Sequence, residues 1–162
     1  KVIGVDYANW KYDILKNKGV EPIDINIENQ PFPFKNESVD FIVANQILEH
    51  TKEIFWINHE IFRTLKVGGH LYLGVPNTLS FHNRILGIFG IHPTAAKIIS
   101  AHVRVFSKRD TRLFYRLIAN KFAMVEKFYG SQFYPFPKIL ARFLATIFPS
   151  CSFSIFFFIK NF

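Results

Sequence analysis

Asp40-Phe-Ile-Val-Ala44-Asn45-Gln46-Ile-Leu-Glu49-His50 is the stretch on which the reading of this chain turns. It opens as an apolar run rich in Ile, Val and Phe, of the length of a buried strand. It breaks into polar residues at Asn45 and Gln46 and ends on a Glu-His pair. Open α/β sheets place their ligands at the carboxyl ends of such strands. Alone, the pattern describes any parallel strand that has to finish, so the segments on both sides give it its weight.

Upstream, residues 2–5 read as a short strand that stops at Asp6. Residues 9–18 follow as a helix, with Trp10, Ile14 and Leu15 on one side and Gly19 as its stop. Residues 23–27 alternate Ile, Asp, Ile, Asn, Ile, the period of a strand, and residues 30–38, with Pro31 and Pro33, form a loop. Downstream, Thr51 is placed to cap a helix whose apolar stripe is Ile54, Ile57, Ile61 and Leu65 and which Gly68-Gly69 ends. Residues 70–75 are the next strand, closed by Pro76-Asn77. Strand, helix, strand, strand, helix, strand with short connections predicts an α/β fold with a parallel sheet flanked by helices.

The rhythm breaks over residues 78–106, where Gly87, Gly90 and Pro93 punctuate Phe, Ile and Leu; this part reads as an insertion with short helices. Ser107-Lys-Arg-Asp110 is a capping-box pattern that opens a helix through about Asn120. Residues 122–128 then form a strand, residues 138–148 a helix, and residues 152–160 a last, very apolar strand. An inner antiparallel strand suits that final run better than a spanning helix over 139–159, which Arg142, Pro149 and three serines interrupt.

A chain of 162 residues fits one domain and can bury a sizeable core. It begins at Lys1 in what reads as mid-strand, so a fragment whose amino-terminal part lies upstream is expected. Cys151 is the only cysteine, which excludes an internal disulfide framework and fits a reducing, cytoplasmic setting. The net charge of +8 favours anionic partners or solubility for a chain with twenty phenylalanines. Its aromatics lie in apolar runs rather than interleaved with Lys and Arg, which speaks against nucleic acid.

Three polar features fall at strand ends. Asp6 can accept both ribose hydroxyls of a nucleoside-containing cofactor, or can cap a turn. Asp24, with Asn26 and Glu28 nearby, offers a polar group for an adenine amino group; the pattern does not choose among the three. Backbone and amide groups at Asn45 and Gln46 would border the reacting end of a cofactor.

Set in register, Pro33-Phe34-Lys-Asn-Glu-Ser38-Val-Asp40-Phe-Ile, Leu48-Glu49-His50, Glu60-Ile-Phe-Arg63-Thr-Leu65-Lys66-Val-Gly68-Gly69 and Val75-Pro76-Asn77 resemble the central part of class I S-adenosylmethionine-dependent methyltransferases. The resemblance is to the type 11 and type 23 group, and His102-Val-Arg104-Val-Phe106-Ser107 extends it. It implies a Rossmann-like, doubly wound, seven-stranded sheet, mostly parallel, in which the last strand runs antiparallel between its neighbours. It further implies S-adenosylmethionine as cofactor, Asp6 as the ribose-binding acid, Asp24 or Asn26 beside the adenine, and Ala44, Asn45 and Gln46 along the methionine portion. Two departures stand out. The family's first strand and glycine-rich loop would precede Lys1, and Lys121 replaces the usual Gly before Phe122, leaving Asn120 for the left-handed position.

Methyl transfer needs alignment and water exclusion more than covalent chemistry, and a base only where the acceptor must lose a proton. His50 is the candidate base, since histidine titrates near neutral pH; packing or helix capping is the alternative role, and His102 could reach the same cleft. No metal site is expected, because the six histidines lack close pairing in the sequence. The apolar, sparsely basic insertion suits a small-molecule or lipid-linked acceptor, or a lid, with peripheral membrane contact possible in principle. A fold without catalysis, or a nicotinamide-dependent oxidoreductase requiring an upstream Gly-x-Gly-x-x-Gly turn, are the competing classes.

Overall fold

A computed structural model describes residues 1–7, 12–118 and 123–162. The strands are β1 (Val2–Asp6), β2 (Val20–Asp24), β3 (Val39–Asn45), β4 (Leu65–Pro76), β5 (Ala123–Ser131) and β6 (Ser154–Asn161). The helices are α1 (Tyr12–Asn17), α2 (Ile54–Thr64), α3 (Phe81–Ile88), α4 (Lys108–Ile118) and α5 (Lys138–Ile147), with a single 3₁₀ turn at Leu48–His50 between β3 and α2. The fold is the expected mixed α/β one. Trp10, Asn120, Lys121 and Phe122, on which parts of the sequence reading rest, lie outside the described residues.

Four strands form one sheet in the order β3-β4-β6-β5, and β1 and β2 pair parallel in a second. β3 runs parallel to β4, while β6 is antiparallel to both β4 and β5, so the last strand is inserted antiparallel between its neighbours as expected. The described strands thus fall in two hydrogen-bonded groups rather than one continuous sheet, because β1 and β3 are not paired with each other. β4 and β6 are central, and their inward side chains Leu71, Leu73, Val75, Ile155, Phe157 and Ile159 are wholly buried. Ile54, Ile57 and Ile61 of α2 cover that face, the apolar stripe the sequence predicts. The opposite face carries a run of stacked rings, Tyr72 on Phe156 and His70 on Phe158.

Three boundaries differ from the sequence reading, each for a tertiary reason. β2 spans Val20–Asp24 rather than 23–27: pairing with β1 selects the earlier register, and Pro22 is tolerated on a strand with one neighbour. The Asn26 carboxamide then accepts the Glu28 N–H at 3.0 Å and turns the chain. Second, Thr51 does not cap α2. Its hydroxyl donates to the Leu48 carbonyl at 3.0 Å, and the Glu28 carboxylate, distant in sequence, accepts the N–H groups of Lys52 and Glu53 at 2.5 and 3.2 Å. An anion at that end also meets the helix dipole favourably. Third, α2 ends at Thr64 rather than at Gly68-Gly69, because Leu65 pairs with Val39 and draws the chain directly into β4. Gly68 instead takes φ +80° within that strand.

Ser107 caps α4, and half of the expected capping box forms: its Oγ accepts the Asp110 N–H at 3.2 Å, while the Asp110 carboxylate accepts from the Ser107 hydroxyl at 2.7 Å rather than from its backbone N–H. Residues 78–106 make a closed excursion. Asn77 and Phe106 meet in a parallel bridge, with the Thr78 N–H on the Phe106 carbonyl at 2.9 Å. Inside it, Asn83 donates to the Asn77 carbonyl at 3.2 Å and accepts the Thr94 N–H at 3.0 Å. Among the described residues no helix is long and apolar enough to cross a membrane.

Candidate functional site

Every sequence-derived site residue lies at or just beyond the carboxyl end of a parallel strand. Asp6 and Asp24 end β1 and β2 and are register partners. The Asp6 Oδ1 accepts the Tyr7 N–H at 2.7 Å, and the Tyr12 hydroxyl donates to the Asp6 carbonyl at 3.1 Å. That phenol is held above its usual range by slight desolvation first, then by the negative charge of Asp24 and Asp6. Both aspartates are exposed, so they can receive a ligand. Asn26 is committed to its turn, its N–H donating to the Gln30 side chain at 2.6 Å and its Oδ1 accepting from Glu28. Glu28 is committed to the start of α2. Of the three groups the sequence left open for adenine, Asp24 alone is held neither in a turn nor at a helix start; its exposed carboxylate faces the Tyr12 phenol.

At the end of β3 the alternation of the strand separates two roles. Ala44 is buried in the core beside Leu48 and Ile57, so only its backbone can border a ligand. Asn45 is exposed, and its side chain lies across Gly74 of β4: a Cβ on Gly74 would stand 2.2 Å from the Asn45 Oδ1. Gly74 is therefore the residue that lets the Asn45 carboxamide lie flat over the strand end, a requirement the sequence reading missed. Gln46 takes φ +56° while its N–H donates to the Gly74 carbonyl at 2.8 Å. This left-handed residue turns the chain out of the sheet, and such conformations in non-glycine residues cluster at ligand sites.

The turn at Leu48–His50 brings together residues far apart in sequence. The Glu49 carbonyl accepts the N–H groups of Val103 and Arg104 at 2.8 and 3.2 Å, and the Arg104 guanidinium donates to the carbonyls of Thr51 and Lys52. This clamps the end of the 78–106 excursion onto the Glu49-His50 pair. The rings of His50 and His102 consequently lie 4.7 Å apart, contrary to the expectation that no histidines pair. The His50 Nδ1 is 3.2 Å from the Ala101 carbonyl; since a carbonyl only accepts, that nitrogen carries the proton. In the neutral ring Nε2 then holds a bare lone pair, and it stands 3.9 Å from the Glu49 carboxylate.

Glu49 itself is wholly buried, and neither carboxylate oxygen has a hydrogen-bond partner. Burial raises its carboxyl above the usual range, against smaller opposing effects of its own nearby backbone N–H, outside hydrogen-bond geometry, and of His50 and His102. The sequence reading quoted Glu49 as part of a motif but assigned it no chemistry. A buried glutamate next to a histidine was visible in the string; the second histidine was not, because His102 arrives from another part of the chain.

A mostly parallel α/β sheet with an inserted antiparallel last strand, and with polar side chains at its strand ends, defines the Rossmann-like methyltransferase fold. Solved structures agree. A SAM-dependent methyltransferase of Thermotoga maritima superposes with a TM-score of 0.67 at 19% identity, over 99% of this chain and 72% of that one. A SAM-dependent methyltransferase of Aquifex aeolicus gives 0.64 at 13% identity, over 100% and 69%. The methyltransferase crystallised with the Trm112 activator of Haloferax volcanii gives 0.66 at 15%, over 98% and 70%. Residues 1–73 match the family model described as a methyltransferase domain, and the chain shares the fold of the solved S-adenosylmethionine-dependent methyltransferases. An uncharacterised protein of Methanocaldococcus jannaschii is 33% identical over 79 residues, 49% of this chain; the chain spans 38% of that relative's length.

Proposed function

We propose that this chain takes part in S-adenosylmethionine-dependent methylation of a lipid-linked or otherwise apolar small molecule. The observation that carries the cofactor half is Asp6, an exposed carboxylate at the end of a parallel strand with one oxygen engaged by Tyr7 and the other available to ribose hydroxyls. Asp24 stands beside it for the adenine, and Asn45, laid over Gly74, with the turned backbone at Gln46, borders the methionine portion. The bound cofactor supplies an activated methyl group on a sulfonium; the residues of this chain hold it, align the acceptor and exclude water. Where the acceptor is a hydroxyl, a proton must leave, and the Glu49, His50 and His102 cluster is the group placed to draw it off, with His50 as the base read from the sequence.

The acceptor half is supported by an apolar surface on the 78–106 excursion and α5. Ile98 and Ile99 are 99% and 93% exposed, and Ile88 and Phe89, ten residues earlier, are exposed as well. α5 buries Ala141 and Ala145 against Phe133 and leaves Ile139 and Phe143 in solvent. The two regions adjoin, since Phe81 of α3 packs on Phe133 and Phe136 at 5.6 and 6.1 Å. Exposed apolar side chains on adjoining segments of this kind suit an interaction surface. With Arg84, Lys97, Lys138 and Arg142 on the same segments, it suits a lid for an apolar acceptor and contact with an anionic membrane surface.

The test is calorimetric titration of the wild type and Asp6→Asn with S-adenosylmethionine. Saturable binding that weakens at least about tenfold in the variant, roughly 1.4 kcal/mol, is the expected result. Absent binding in the wild type would overturn the cofactor half of this reading. For the acceptor, labelled methyl transfer into isoprenoid phenols in anionic vesicles should exceed transfer to their short-chain, water-soluble analogues. Equal rates would remove the lipid-linked reading.

A further inference from the structure

We propose that Glu49, His50 and His102 form a binding site for one divalent first-row transition-metal ion. Their ligand atoms, one per residue, all lie within 4.8 Å of one another, with the His50 Nε2 3.9 Å from the Glu49 carboxylate. Ligand atoms around a tetrahedral zinc with bonds of 2.0–2.2 Å are separated by about 3.4 Å. Side-chain adjustments on the order of 1 Å therefore close the set around an ion, with no backbone rearrangement.

Three features show that this is a prepared site rather than a chance meeting of polar residues. The Glu49 side chain is wholly buried with both oxygens unbonded, and an unsatisfied buried group costs about 1–3 kcal/mol, more when it is charged. The His102 Nδ1 is likewise buried without a partner. His50 already has the second contact that metal-bound histidines make: its Nδ1–H donates to the Ala101 carbonyl, which turns Nε2 toward Glu49. The backbone clamp of Val103 and Arg104 on Glu49 holds His102 at this place in the fold. Two imidazoles and a carboxylate suit zinc, iron(II) or manganese and leave coordination positions open.

Resting on the methylation reading above, an open position would take the acceptor hydroxyl and lower its pKa, making His50 a ligand instead of the base. The site itself stands apart from that reading, and its test uses neither cofactor nor acceptor. Protein dialysed against chelator is titrated with Zn²⁺ by calorimetry and with Co²⁺ by its visible d–d absorption. One equivalent should bind, at micromolar affinity or tighter, with the absorption of a nitrogen- and oxygen-ligated ion. H50A/H102A should weaken binding by at least about 100-fold, and E49Q, which preserves shape and guards against a misfolded double variant, by at least about tenfold. No saturable binding to the wild type, or equal binding to the wild type and both variants, overturns the site. Retained S-adenosylmethionine binding alongside lost zinc binding, or the reverse, separates failure of this proposal from failure of the methylation reading.

Discussion

Glu49 and Glu60 are two buried glutamates on either side of the start of α2, and they have opposite surroundings. Glu60 is fully satisfied. Its carboxylate receives Nε and a terminal N–H of Arg63 at 2.8 and 2.7 Å and the Phe32 N–H at 2.8 Å. Arg63 spends its remaining donors on the carbonyls of Phe32 and Phe34 and on Asn36, so one ion pair fastens the proline-containing loop to the helix. Arg63 holds the Glu60 carboxyl below its ordinary range. Glu49 has no hydrogen-bond partner, with only the His50 ring 3.9 Å away, and desolvation pushes it the other way. The first glutamate serves the fold. The second is a buried carboxylate without hydrogen bonds, a kind of group that clusters at functional sites.

The largest effect should come from breaking the satisfied side. Arg63→Ala leaves Glu60 as an uncompensated buried charge and frees the loop, with an expected loss of about 3–5 kcal/mol in urea unfolding. A loss under about 1 kcal/mol would mean that the pair is not what ties the loop. The other side should respond with the opposite sign. Glu49→Gln removes a buried charge while keeping its shape, and should stabilise the metal-free chain at neutral pH by about 1 kcal/mol in the same measurement. Destabilisation instead would show that the carboxylate has a partner.

The pH dependence sharpens the contrast. Glu60 has a depressed folded pKa, so its contribution is present above the ordinary carboxylate range and is lost as pH falls through its folded value. Glu49 has a raised one, so its neutral form favours folding below the ordinary range, and that advantage disappears as pH rises through its folded value. Thermal melts across that window should therefore show an acid limb that vanishes in Glu60→Gln and a separate loss on the rising side that vanishes in Glu49→Gln. The smallest effect expected is at the cofactor side: Asp6→Asn should leave the melting temperature nearly unchanged, because Asp6 is exposed. A drop of several degrees would make Asp6 a structural residue.

Much of this molecule was legible in the string. The strand ending in Asn45, the helix stripe Ile54, Ile57, Ile61 and the antiparallel placement of β6 all follow from period, turn residues and the family resemblance, and the structure has them. The failures were long-range. Thr51 looked like a cap, but Glu28 supplied the acceptor from across the fold; Gly68-Gly69 looked like a helix stop, but pairing of Leu65 with Val39 ended the helix first. Propensity speaks for local contacts, and tertiary hydrogen bonds outvote it at element ends.

The polar break of Asn45 and Gln46 and the Glu49-His50 pair were determined by sequence alone, because a strand must end where its apolar period ends. That the pair faces His102, with the Glu49 carboxylate sealed from water and unbonded, was decided only by tertiary structure. The reason is that the clamp runs through the backbone: the carbonyl of Glu49 accepts the amides of Val103 and Arg104, a contact between groups that every residue carries and that no side-chain pattern records.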